Sequence, residues 1–169
     1  MNDGKPNLTS VSVTALVPGS AHDVHAMGGR AYAMMKAVED YPLYMPSVNA
    51  IKVIERKENE LTTRWDAEID GAPIQWVQHI QMNDSTREII FKTIEGDFDV
   101  FQGRWCVGES NGQVVLALSI EYKLGIPIIE EVLGPILKDK ITANSETMLK
   151  AIAGQLAKDK QTVEPERLR

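Results

Sequence analysis

The sequence predicts an α+β domain, a curved antiparallel sheet of six to seven strands around one long C-terminal helix. Three observations carry this. From Asn49 to Leu124 the chain runs as alternating polar and apolar segments divided by turn signals. Two of those signals, Asp70-Gly71 and Asn111-Gly112, are strong hairpin dipeptides, so consecutive strands pair antiparallel. After Gly125-Ile126-Pro127 the apolar residues recur every three to five positions, which is helical spacing.

Residues 1 to 7 are polar, with Gly4 and Pro6, and read as a flexible end. In Leu8 to Val17, Val11, Val13 and Ala15 alternate with Ser10, Ser12 and Thr14, which predicts a strand. Pro18-Gly19 interrupts it, Ala21 to Met27 reads as its continuation, and Gly28-Gly29 breaks the pattern. Arg30 to Glu39, rich in Ala, Met and Lys, favours helix. Tyr41-Pro42 and Met45-Pro46 stop it, because a residue before proline avoids the helical region.

Six strands are then expected, at Ile51 to Arg56, Leu61 to Ile69, Pro73 to Met82, Ile89 to Ile94, Phe98 to Val107 and Gln113 to Leu124. Ser85-Thr86-Arg87-Glu88 matches a capping box, but a strand-like run follows it, so no helix is expected there. Gly134-Pro135 is expected to divide the last element into a short helix and a long one. The long one, Pro135 to Lys158, would measure about 36 Å. It carries Ile136, Leu137, Ile141, Met148, Ile152 and Leu156 as its apolar stripe. Residues 159–169 are charged and read as a flexible tail, leaving 8–158 as a single domain.

The 169 residues suit one domain, and 43% hydrophobic with 25% charged is ordinary for a soluble globular chain. A net charge of -6 argues against a general phosphate-backbone binder, so no nucleic-acid partner is expected. Cys106 is the only cysteine, which excludes an intramolecular disulfide and a thiolate zinc cluster. No secretory signal and no apolar run of the roughly 20 residues needed to span a bilayer is visible, so a cytoplasmic location is the expectation. The N-x-S/T matches at Asn7 and Asn83 then carry no weight.

A six- or seven-stranded sheet curling around one helix encloses more volume than the helix fills. Either bulky side chains occupy the hollow or a cavity remains, and the functional reading depends on which.

Several segments resemble a known family. Ala37-Val38-Glu39-Asp40-Tyr41-Pro42 followed by Met45-Pro46-Ser47-Val48 is similar to the helix–turn segment of the START-like (helix-grip, SRPBCC) superfamily, and more narrowly of the polyketide cyclase/dehydrase family. Gly96-Asp97-Phe98 through Phe101-Gln102-Gly103-Arg104-Trp105 resembles that family's strand ending in a small residue and a tryptophan. Glu121-Tyr122 with Gly125-Ile126-Pro127 resembles its exit into the C-terminal helix. The resemblance covers roughly residues 20 to 158. It implies a curved sheet gripping a helix around an apolar pocket, in a group that includes aromatase/cyclases, coenzyme Q-binding proteins, plant hormone-binding proteins and lipid-transfer domains. The aromatase/cyclases place an arginine and a tyrosine in that pocket, and no arginine of this chain is matched to that role.

Strand phase nominates the pocket residues. Trp65 shares the apolar face of its strand with Leu61, Thr63, Ala67 and Ile69, which turns Arg64 outward unless a bulge flips the phase. Trp76 and Gln78 share a face with Ile74, Ile80 and Met82. A buried amide costs about 1–3 kcal/mol unless bonded, so Gln78 is expected to meet a ligand carbonyl, a water or another side chain. His79 falls on the other face, as a solvent-facing residue and not a general base. Phe101, Gly103, Trp105 and Val107 share a face, with Gly103 either admitting a close neighbour or marking a bend. Tyr122 and Tyr32 either offer hydroxyls to the pocket or are half-buried phenols meeting water. The expected ligand-binding set is therefore Tyr32, Trp65, Trp76, Gln78, Phe101, Trp105, Tyr122 and Met148.

His22 and His25 on a strand would face opposite sides, so no metal site is expected. No P-loop or GxGxxG occurs, and no cofactor is expected. Three readings follow. The first is a cyclase/aromatase-like protein that holds an aromatic or polyketide molecule and assists cyclisation or dehydration through confinement. The second is a non-catalytic carrier of a lipid or quinone, of the coenzyme Q-binding type. The third is a module whose groove binds a protein segment, which the acidic charge and the lack of an obvious exposed apolar run disfavour. A homodimer through an edge strand near residues 8 to 17 is a further expectation.

Overall fold

The computed structural model describes residues 7–18, 23–69, 71–125 and 127–167, with backbone alone at 127, 129 and from 159 onward. β1 (Thr9–Leu16) leads to a helix α1 (Val24–Lys36), a 3₁₀ turn (Val38–Asp40) and a one-turn helix α2 (Tyr41–Tyr44). Six strands follow, β2 (Val48–Lys57), β3 (Glu60–Ile69), β4 (Ala72–Asn83), β5 (Glu88–Gly96), β6 (Val100–Ser110) and β7 (Gln113–Lys123). The last element is α3 (Pro127–Arg167). The seven strands form one sheet in the order β1-β7-β6-β5-β4-β3-β2, with every pair antiparallel. The expected architecture is present, and β1 lies at a sheet edge as its sequence position suggested.

The turns follow from their residues. Asn111 and Gly112 hold φ of 52° and 73°, the positive pair that a two-residue hairpin of favourable twist requires. Between β4 and β5 the Asn83 side chain accepts hydrogen bonds from the amides of Ser85 and Thr86 at 3.1 and 3.2 Å, which closes a turn and starts no helix.

Curvature has local causes. The β4–β5 pairing passes from Val77 opposite Glu95 to Gln78 opposite Thr93, so Ile94 is an unopposed extra residue and stays exposed. The β5–β6 pairing runs only as far as Lys92 opposite Gln102. Beyond it the Thr93 hydroxyl donates to the Phe101 carbonyl at 2.7 Å. Gly103 is where two elements approach too closely for a side chain. A Cβ there would lie 2.1 Å from the Ser119 carbonyl oxygen and 2.6 Å from Phe91 Cζ. The phenyl ring of Phe91 thus covers the gap.

α3 crosses the sheet and packs against β1, β3 and β7 as well as α1 and α2. Ile141, Leu149, Ile152 and Leu156 are its buried stripe. At 41 residues it measures about 61 Å, longer than the expected helix.

Four expectations need correction. Ala21 to Met27 does not continue the strand: residues 21 and 22 lie outside the described set, and α1 starts at Val24. Asp23 caps it, its carboxylate accepting from the Ala26 amide at 3.0 Å. Gly28-Gly29 lies inside α1 because Arg87 needs the space. A Cβ on Gly28 would stand 2.5 Å from Arg87 Nη1, and Arg87 Nη2 donates to the His25 carbonyl at 3.0 Å. α1 ends at Lys36, and Pro42 begins α2 instead of stopping a helix, since its missing N–H is no loss in a first turn. Finally, α3 runs unbroken through Gly134-Pro135 and its backbone stays helical to Arg167, into the segment read as a tail. Pro135 removes the bond to the Glu131 carbonyl, but Glu131 and Pro135 are both exposed, so the freed carbonyl lies on the solvent side of the helix.

The first turns of α3 also carry apolar residues in the open. Ile128, Val132, Leu133 and Ile136 are exposed, so the apolar run that the sequence did not reveal is present.

Candidate ligand pocket

The inner face of the sheet is crowded with rings. Trp65 and Trp76, opposite each other on β3 and β4, stack with centroids 5.4 Å apart and planes 16° apart. Tyr41 of α2 stands against Trp65 at 5.8 Å and Trp105 at 6.0 Å. Phe101 lies 5.5 Å from Trp76, 5.8 Å from Phe91 and 4.7 Å from Phe98. These rings occupy most of the hollow between sheet and helix. What remains is a cavity of about 60 Å³ walled by β3, β4, β5, β6, β7, the α2–β2 turn and α3.

Six of the eight expected residues line it, namely Trp65, Trp76, Gln78, Phe101, Trp105 and Met148. Two do not. Tyr32 sits on α1, where its hydroxyl donates to Asp84 at 2.9 Å beside Lys36. Tyr122 is buried edge-on to Phe98 at 6.1 Å, and its hydroxyl lies near Thr9 on β1. Both are buried, Tyr122 on β7 and Tyr32 on α1, but burial does not say where the cavity lies.

The sequence reading missed Ser47, in the α2–β2 turn, and Asn144 and Ser145, on α3. A signal for the last two was present: they fall between Ile141 and Met148 and interrupt an apolar stripe at helical spacing. Phe98 was placed in a strand, whereas β6 begins at Val100 and Phe98 lines the cavity from the preceding turn.

Polar groups at the cavity are few and mostly engaged. The Trp65 indole N–H donates to Thr63 Oγ1 at 2.8 Å, and the Trp76 indole N–H donates to Gln78 Oε1 at 2.8 Å. Because Thr63 pairs with Gln78 across β3 and β4, the two bonds lie side by side beneath the stacked rings. Ser145 donates to the Ile141 carbonyl at 2.7 Å. The buried Ser47 hydroxyl has no partner among the described residues. Glu68 is the one ionisable residue among the lining residues described, half-buried beside Ser47, whose carbonyl accepts from the Glu68 amide at 2.9 Å.

Other titratable groups stand away from the cavity or are held neutral. Burial, then Asp40, pushes Tyr44 up to about 12, and burial, with a smaller effect of Tyr44, holds Tyr41 well above the usual phenol range. Burial likewise raises the Cys106 thiol, with Glu88 adding to it, so it is a poor nucleophile at neutral pH. Arg64 is exposed, and His79 stands 3.8 Å from Glu60 on the outer face. Among the described residues no group of three or more His, Cys, Asp or Glu could hold a metal, and His22 lies outside them. No helix of the described residues is long and apolar enough to cross a membrane.

Residues 25–149 match the family described as polyketide cyclase / dehydrase and lipid transport. The chain belongs to that family. No curated protein sequence matches it. Among solved structures, this polyketide cyclase/dehydrase family member is similar to TTHA0849 from Thermus thermophilus. The TM-score is 0.79 at 23% identity, over 89% of this chain and 99% of that one. It is also similar to the Zhui aromatase/cyclase from Streptomyces sp. R1128, with TM-score 0.76 at 15% identity over 89% and 94% of the two chains. A START superfamily protein from Mycobacterium smegmatis follows, with TM-score 0.70 at 20% identity over 88% and 97%. At these identities the likeness is one of fold: a START-like curved sheet closed by a C-terminal helix.

Proposed function

We propose that this family member binds an apolar, aromatic or polyketide-like small molecule between the sheet and α3 and assists its cyclisation or dehydration by confinement. The observation that supports it is the ring-walled cavity itself, with a handful of polar groups set into an apolar wall. An aromatic ligand burying about 250 Å² would gain about 6 kcal/mol at roughly 25 cal/mol per Å². Holding a flexible poly-ketone in one fold raises the effective concentration of one carbon nucleophile beside one carbonyl. With Tyr32 and Tyr122 away from the cavity, proton movement would fall to Glu68, Ser47 and ordered water.

The cavity is far smaller than the roughly 300–1,000 Å³ of a typical ligand pocket, so occupancy requires lining side chains to yield. Met148, unbranched and half-buried on the α3 wall, is the side chain best able to do so. One observation favours a second reading, a non-catalytic carrier: Glu68 is the only ionisable group among the lining residues described, which leaves little for acid–base chemistry.

Two measurements test these readings. Native mass spectrometry and solvent extraction of the purified protein are expected to recover an apolar molecule at stoichiometric level. Addition of the protein to a reconstituted polyketide synthase is expected to alter the ring pattern of the product. Empty protein that binds no member of an apolar panel would refute both readings, whereas binding with an unchanged ring pattern would leave the carrier alone.

A further inference from the structure

We infer that Gln78 makes this pocket selective for neutral molecules bearing a carbonyl, and that Trp76 sets that selectivity. The inference rests on the pocket reading above and goes on to name its ligand class. It begins with donor and acceptor inventory. An indole N–H only donates, so the 2.8 Å bond from Trp76 Nε1 must end on the amide oxygen of Gln78. That fixes which way the amide faces. The oxygen faces Trp76, and the Nε2 amine, a pure donor, is left without a hydrogen-bond partner among the described residues.

Gln78 is only 3% exposed and lines the cavity, so that amine is a buried donor open to whatever occupies it. A buried unpaired donor is costly, and a ligand oxygen that accepts from it removes the cost. The complement is a carbonyl oxygen. A hydroxyl can also accept, but it brings a proton of its own that must be bonded as well, whereas a carbonyl oxygen leaves no donor to satisfy. The neighbouring Ser47 hydroxyl can rotate to donate or accept, and Asn144 is half-exposed and within reach of water, so neither imposes the same sign.

Charge narrows the class further. No Lys, Arg or His is among the lining residues described, and Glu68 stands at the wall. A carboxylate entering this cavity loses its water without meeting a cation, and meets a like charge instead. The ligand is therefore a neutral ketone, quinone or similar carbonyl compound with flat apolar flanks to lie against the Trp65–Trp76 stack.

Calorimetric titration with 1-indanone, indane and indane-1-carboxylate tests this. The wild-type protein is expected to bind 1-indanone about fivefold or more tightly than indane, as one net hydrogen bond allows, and the carboxylate more weakly than either. Gln78→Met keeps length and removes the donor, and is expected to bring the ketone-to-hydrocarbon ratio down by about that factor. Trp76→Phe keeps Gln78 but frees its amide to turn, and is expected to lower the same ratio, which covers the case in which Gln78→Met does not fold. A ratio unchanged in the folded variants, or carboxylate binding as tight as ketone binding, overturns this inference while the pocket reading stands. Failure of the wild-type protein to bind any of the three overturns the pocket reading and this inference with it.

Discussion

The two indole bonds beneath the tryptophan stack define a stability experiment with a calculable outcome. Thr63 is fully buried and its hydroxyl accepts the Trp65 indole proton at 2.8 Å. Thr63→Val keeps the branched shape and removes the acceptor, stranding an indole N–H where water does not reach. A buried unsatisfied donor costs about 1–3 kcal/mol. For a chain of this length about 2 kcal/mol lowers the melting temperature by about 4–8 °C. Trp65→Phe strands the Thr63 hydroxyl instead and removes roughly 50 Å² of buried ring, adding about 1 kcal/mol. The double variant strands neither group, so its cost should fall below the sum of the singles by about 1 kcal/mol or more. Urea denaturation of all four proteins, with equal slopes, measures the coupling. Additivity within about 0.5 kcal/mol, or a Thr63→Val variant as stable as the parent, would refute the reasoning.

Three further outcomes are expected. Gly103→Ala places a methyl 2.1 Å from a carbonyl oxygen of the adjacent strand, and should cost about 1–3 kcal/mol in the same denaturation assay. Gly154→Ala meets nothing within 4 Å and replaces a mid-helix glycine, and should stabilise the chain by about 0.5–1 kcal/mol, read as a higher urea midpoint. Asp84 has its carboxyl held below its ordinary value of 3.8, first by the Tyr32 hydroxyl and then by Lys36. A folded-state pKa below the unfolded one gives stability that is present above about pH 4 and lost as pH falls through the lower value. Asp84→Asn should therefore lower the melting temperature at pH 6 and make less difference at pH 2, and an effect as large at pH 2 as at pH 6 would refute the linkage.

The sequence made the sheet legible because period two and paired turn residues are local signals. Trp65, Trp76, Gln78 and Trp105 were placed on the inner face by counting alternate residues, and all four line the cavity. What escaped was set by partners far along the chain. Gly28-Gly29 looked like a break because its reason, the guanidinium of Arg87, arrives from the β4–β5 turn. Gly134-Pro135 looked like another because local propensity cannot show that the missing bond falls on an exposed face of one continuous helix. Tyr32 and Tyr122 are both buried, yet Asp84 holds the first and Phe98 covers the second. Ser47 was invisible for a different reason: a hydroxyl in a turn carries no periodicity at all.

The near-parallel indoles of Trp65 and Trp76 also make the molecule its own optical gauge. Chromophores this close exchange excitation, so they should give a pair of ultraviolet dichroism bands of opposite sign and a muted emission. Anything that slides between or beside them changes that coupling, and its arrival can be timed without a label.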